Sequence, residues 1–222
     1  MTAPACCLLA ILAAGAVAPD ARPRPEKGKL LVATRQLGDP SFGESVVLLL
    51  ARDDSGVMGV IVNQPTTIKL AAVLPHVAPL AHRGDVIWRG GPVLPTSLLA
   101  LVRAKQAPPD SDTVFGDVRI LTSRDAFERA LDGHVPRERL RAFAGYAGWT
   151  LDQLDDEIAR GDWFVVPATA DVVFSAAPEG LWRRLVERSE GQWTSIRGLT
   201  APRRCDAGRA PAGAARASGR PW

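Results

Sequence analysis

Three cysteines occur in the 222 residues, and none lies in the middle of the chain. Cys6 and Cys7 sit in an N-terminal apolar run and Cys205 lies near the C-terminus, which excludes a disulfide framework or a Cys-based metal site in the core. Histidine is scarce too. His76, His82 and His134 stand singly in predicted loops, without metal-ligand spacing. The chain contains no GxSxG, HExxH or CxxC, so no nucleophile, zinc helix or redox pair is named. Asp155, Asp156 and Glu157 are adjacent on a predicted helix and point in different directions, so a paired-carboxylate mechanism would need partners from elsewhere. No cofactor and no metal are expected. The apolar run 5-ACCLLAILAAGAVA-18 falls short of the roughly 20 residues that cross a bilayer. No stable membrane span is expected.

The formal charge of +3 divides unevenly. Residues 197–222 hold six arginines and one aspartate, giving +5, and residues 1–29 give +2. Residues 30–196 are left with −4. A nucleic-acid reader needs a basic face on its folded module. No specific nucleic-acid binding by the folded body is therefore expected.

The leader resembles the core of a signal peptide, with Ala14-Gly15-Ala16 and Ala16-Val17-Ala18 as small-residue cleavage candidates. No Lys or Arg precedes it, and Pro19 follows the second candidate directly. Export to the periplasm is expected if residues 1–18 are a signal peptide, and a cytoplasmic location otherwise. Residues 19–27 read as a Pro-rich, charged linker. The folded domain is expected over 28–196, and the Ala-, Gly-, Pro- and Arg-rich residues 197–222 as a disordered basic tail.

Within the domain, 29–34 reads as a first strand, and 45–51 and 57–64 as a hairpin around 52-RDDSG-56. Thr67 is expected to cap a short helix over 68–74. Further strands are expected at 85–89, 98–104, 117–122, 142–148 and 163–168. Ser123 can cap a helix over 124–131, with Gly133 near its end. A last amphipathic helix is expected over 179–188, with Leu181, Trp182 and Leu185 inward. Hairpins mixed with helices point to an α+β single domain rather than a doubly wound one.

The segment 145-GYAGWTLDQLDDEI-158 combines two glycines, two aromatics and an acidic helix. Thr150 and Gln153 have capping-box spacing, the early aspartates suit the positive helix end, and Leu151, Leu154 and Ile158 share one face. A well-built strand-to-helix connection accounts for this better than an anion site, which those carboxylates would repel. The run 90-GGPVLP-95 could bring backbone N–H groups to a ligand, or form a tight turn closed by Pro92. Asn63, in 63-NQP-65, could face a pocket or form an Asx-type turn. Candidate ligand-binding residues are Asn63, Gly90, Gly91, Pro92, Tyr146 and Trp149.

The order 28-GKLLVA-33, 39-DPSF-42 with Ser45-Val46, 57-VMGVIVNQP-65, 90-GGPV-93, 122-TSRDAFE-128, 145-GYAGW-149 with 153-QLDDE-157, and Trp163 resembles the YqgE/AlgH family. The resemblance covers about residues 28–188. It implies a compact α+β domain with coiled mixed β-sheets and flanking helices. It implies little chemistry, and the family's label as a transcriptional regulator comes without a DNA-binding motif. Gln64 stands where relatives often carry Lys or Arg, and Val102 near where many carry His. Our reading is a non-enzymatic module binding a small ligand or a protein partner. The alternatives are a hydrolase assembled from the GGPV and GYAGW loops, and transcriptional regulation.

Overall fold

A computed structural model describes the backbone of residues 24–200 and the side chains of 24–192. The expected signal peptide and nearly all of the expected tail lie outside the described residues. Runs of Leu and Val set the first strands, Lys29–Ala33 (β1), Val46–Asp53 (β2) and Gly56–Ile61 (β3), which pair antiparallel in sequence order. The β2–β3 turn is tightened where Asp53 accepts hydrogen bonds from the Ser55 hydroxyl and, at 2.9 Å, its backbone N–H. Those bonds hold the Asp53 carboxyl below the usual carboxylate range. The register slips by one residue between Leu49 and Ala51, leaving Leu50 as the extra residue of a β-bulge.

The helix expected over 68–74 forms at Leu70–Val73 (α1), starting two residues late because Pro65–Lys69 (β4) is extended. Thr67 does not cap it; Lys69 takes that position with no side-chain bond. A seven-residue helix is marginal alone. Here β4 instead pairs antiparallel with Val86–Arg89 (β5), and Thr66 Oγ1 donates to the Ile87 carbonyl at 2.7 Å.

The remaining elements are Val93–Arg103 (β6), Ser111–Phe115 (β7), Val118–Leu121 (β8), Arg124–Asp132 (α2), Leu140–Trp149 (β9), Leu151–Arg160 (α3), Trp163–Pro167 (β10), Ala170–Val173 (α4) and Leu181–Thr200 (α5). Ser123 caps α2 by accepting from Ala126 N–H at 3.0 Å. The last helix runs past the expected 188 to Thr200. Gly191 costs it roughly 1 kcal/mol, but no proline stops it before Pro202.

The strands form one coiled sheet in the order β10-β1-β2-β3-β9-β6-β8-β7, with the β4–β5 ladder attached to β9. β5–β9 is the parallel pair among the described ladders, so the sheet is mixed. Two apolar cores result. One gathers β1–β3, β9, β10 and α5 around Leu30, Leu48, Phe143 and Trp182. The other lies under α1 and α2, around Leu70, Leu80, Val102 and Leu131. The fold is α+β, with flanking helices on a curled sheet.

Candidate ligand-binding cavity

β9 is the hinge of the architecture. Its first half pairs with β6 and with β5, and its last residues, Ala147–Trp149, pair with β3. At the changeover Gly145 takes φ 69°. Gly90 N–H donates to the Ala144 carbonyl at 2.8 Å, while its own carbonyl accepts from Ile61 N–H at 2.9 Å. A Cβ on Gly90 would lie 2.1 Å from the Gly145 oxygen, and one on Gly91 would lie 2.2 Å from the Tyr146 carbonyl carbon. Gly90, Gly91, Gly145 and Tyr146 are thus brought together as touching backbones. Pro92 next to them is exposed and Tyr146 is half-buried against the first core.

Asn63 and Trp149 lie elsewhere. Buried Asn63 accepts from Val46 N–H at 2.8 Å and donates to the Glu44 carbonyl at 2.9 Å, pinning the β1–β2 loop rather than closing an Asx turn. Trp149 stacks on Phe42 and meets Trp163 edge-on, with centroids 5.4 and 5.9 Å apart. Both indole N–H groups donate to Glu157 Oε2, from Trp149 at 3.0 Å and Trp163 at 2.8 Å. Gln153 Nε2 donates to the other oxygen at 3.0 Å. The capping box is therefore half-formed: Thr150 accepts from Gln153 N–H at 3.2 Å, but the Gln153 side chain points to Glu157. His76, His82 and His134 are exposed. No cluster of three or more His, Cys, Asp or Glu that could hold a metal occurs among the described residues.

A cavity of about 550 Å³ opens where β2 and β3 face β6, β8 and α2. Its wall is mostly apolar: Leu50, Ala51, Met58, Leu98, Leu99, Ile120, Leu121 and Phe127. The bulge in β2 explains why two consecutive residues, Leu50 and Ala51, both line it. Lys27, Asp112, Thr122, Ser123 and Arg124 supply the polar part. Both hydroxyls are committed, Thr122 donating to the Asp110 carbonyl at 2.8 Å and Ser123 capping α2. None of the six candidates from sequence lines this cavity. Sequence reasoning missed its wall, although 98-LLALV-102 carried a signal. The run is apolar on both faces because Leu101 packs into the first core and Ala100 and Val102 into the second; exposed Leu98 is the apolar residue that neither core accounts for.

Two arginines outside the cavity have shifted protonation equilibria. Arg141 is buried, with its guanidinium carbon 3.8 Å from the Trp88 ring centre. It donates to the carbonyls of Val62 at 3.0 Å and Ser175 at 2.6 Å. Burial pushes its pKa down to about 10. On the surface, Arg103 reaches Asp117 at 2.9 Å and Asp171 at 2.7 Å, and its guanidinium holds Asp117 below the usual carboxylate range. The two departures noted in the sequence also find places. Gln64 accepts from Arg89 at 2.8 Å, and Val102 is fully buried in the second core.

Among the described residues no helix is long and apolar enough to cross a membrane. The AlgH-like family, DUF179, matches residues 30–194. The UPF0301 protein SCO2948 of Streptomyces coelicolor is 39% identical over 175 residues, covering 76% of this chain and 89% of that one. A UPF0301 protein of Thermobifida fusca is 37% identical over 181 residues, covering 74% and 87%. The solution structure of the AlgH protein from Pseudomonas aeruginosa superposes with a TM-score of 0.60 at 29% identity, covering 83% of this chain and 95% of that one. The crystal structure of DIP2367 from Corynebacterium diphtheriae gives 0.62 at 24% identity, covering 75% and 88%, a likeness of fold. On its sequence and its coiled mixed sheet, this chain belongs to the AlgH-like, UPF0301 family.

Proposed function

We propose that the protein is a non-enzymatic binding module whose small ligand seats in the cavity between β2–β3 and β6–β8. One observation carries the reading: a largely apolar space of about 550 Å³. That volume lies in the range of small-molecule sites, which are largely apolar with a few polar groups for orientation. The chemistry of the wall supports binding over catalysis. No His or Cys lines it, and its two hydroxyls already serve the backbone, so neither hydroxyl is paired with a base. The glycines of GGPV and GYAGW support the same reading, because each occupies the other's space.

The test uses the neutral dye N-phenyl-1-naphthylamine, which brightens in apolar surroundings. The full chain is expected to bind it saturably. Leu98→Asp, at a partly exposed wall position, is expected to weaken that binding about tenfold or more while leaving the circular dichroism unchanged. Absence of saturable binding, or equal binding by Leu98→Asp, would sink the proposal.

A further inference from the structure

The polar residues of the cavity are not evenly charged. Lys27 and Arg124 face it with Asp112 as the one acid, leaving an excess of one positive charge. The body around it is negative: residues 30–196 carry −4. Glu128, which is ion-paired with Arg124 and lies outside the lining, offsets part of the cavity's excess, so Lys27 carries most of it. The two cations are also available. Lys27 makes no side-chain hydrogen bond or ion pair among the described residues. Arg124 meets Glu128 through Nε at 2.7 Å and commits neither terminal nitrogen to another group among them. Beneath these cations the wall is hydrocarbon, from Leu50, Met58, Leu98 and Phe127.

We infer that the cavity takes a monoanionic amphiphile, a single carboxylate on an apolar chain, with the carboxylate held by Lys27 and Arg124. The inference rests on the binding reading above and names the class of its ligand. An apolar chain in the cavity buries its surface and gives most of the affinity, with little discrimination. The headgroup then decides among chains of equal length. An anion gains both cations, a neutral alcohol gains neither, and a cation is repelled. Because the contacts are at an exposed mouth, the preference is modest and sensitive to salt.

The experiment displaces N-phenyl-1-naphthylamine from the full chain with decanoate, decanol and decyltrimethylammonium at low salt. Decanoate is expected to displace the dye at about tenfold lower concentration than decanol, with decyltrimethylammonium weakest. The double variant Lys27→Glu/Arg124→Glu, altered only at exposed positions, is expected to reverse the order of the two ions, each displacement being read against that variant's own dye affinity. Raising the salt should compress the differences in both proteins. Equal displacement by decanoate and decanol, failure of all three to displace the dye, or an unchanged order in the double variant would each overturn the carboxylate assignment. Equal displacement or an unchanged order would leave the cavity standing as a neutral apolar site, whereas failure of all three would show that it takes no alkyl chain. Failure to bind the dye at all removes the binding reading itself, and the carboxylate with it.

Discussion

Gly90 has no room for a methyl group. Its missing Cβ would fall 2.1 Å from the Gly145 oxygen, and the obstruction is backbone held in two ladders, which cannot swing aside. Gly161 makes the contrast. It ends α3 in the left-handed region at φ 88°, yet nothing lies within 4 Å of where a Cβ would be. The two glycines are needed for different reasons, close approach at one and chain conformation at the other. Gly161→Ala should cost only the left-handed penalty, roughly 1–2 kcal/mol. Gly90→Ala should cost roughly 4 kcal/mol or more, or prevent folding, because separating β5 from β9 disturbs the parallel pair that joins the two cores. Urea denaturation of the two variants checks this, and similar midpoints would refute the distinction.

At the level of elements, α3 is fastened to the strands on either side of it by one carboxylate. Glu157 receives the indole N–H of Trp149 at the end of β9 and that of Trp163 at the start of β10. Glu157→Ala leaves two largely buried donors without acceptors, and each such loss costs about 1–3 kcal/mol. We expect a total of roughly 3 kcal/mol in chemical denaturation. Glu157→Gln, which keeps an accepting oxygen, should lose about half as much. Equal stability of Glu157→Ala and the parent would show that water satisfies the indoles instead. Local elements of this kind were the most legible from sequence. The Thr150 and Ser123 caps, the β2–β3 hairpin and the inward face of α5 each follow from residues within one or two turns of each other. β7 escaped because 111-SDT-113 is polar: it is a sheet edge, with water on one side and no need for an apolar pattern. The helix expected over 68–74 begins two residues late, at Leu70, because the ladder to β5 keeps Ile68 and Lys69 in β4.

For the molecule as a whole, what stayed hidden was non-local. GGPV and GYAGW stood out as motifs, but nothing within either one says that they pack against each other across 55 residues of chain from Gly90 to Gly145. The cavity is lined from seven separated stretches, Lys27, β2–β3, Leu74, β6, Asp112 of β7, β8–α2 and Ala142 of β9, and only the coiling of the sheet brings them to one space. Net charge is the whole-molecule property that the sequence does give outright, and it bears on the regulatory alternative. The five arginines and one aspartate of residues 201–222 contribute +4, so the chain without them carries −1. Double-stranded DNA releases counterions to a protein only where cations line up on its phosphates, and that attraction weakens steeply with salt. We expect the full chain to be held weakly by random-sequence DNA at about 50 mM salt and released by about 200 mM. A chain ending at Thr200, which keeps α5 whole, should show no retention at either concentration. Gel-shift titrations on random and defined duplexes measure both. A shortened chain that still bound DNA, and preferred one sequence over another, would mean that the acidic body carries a recognition surface after all.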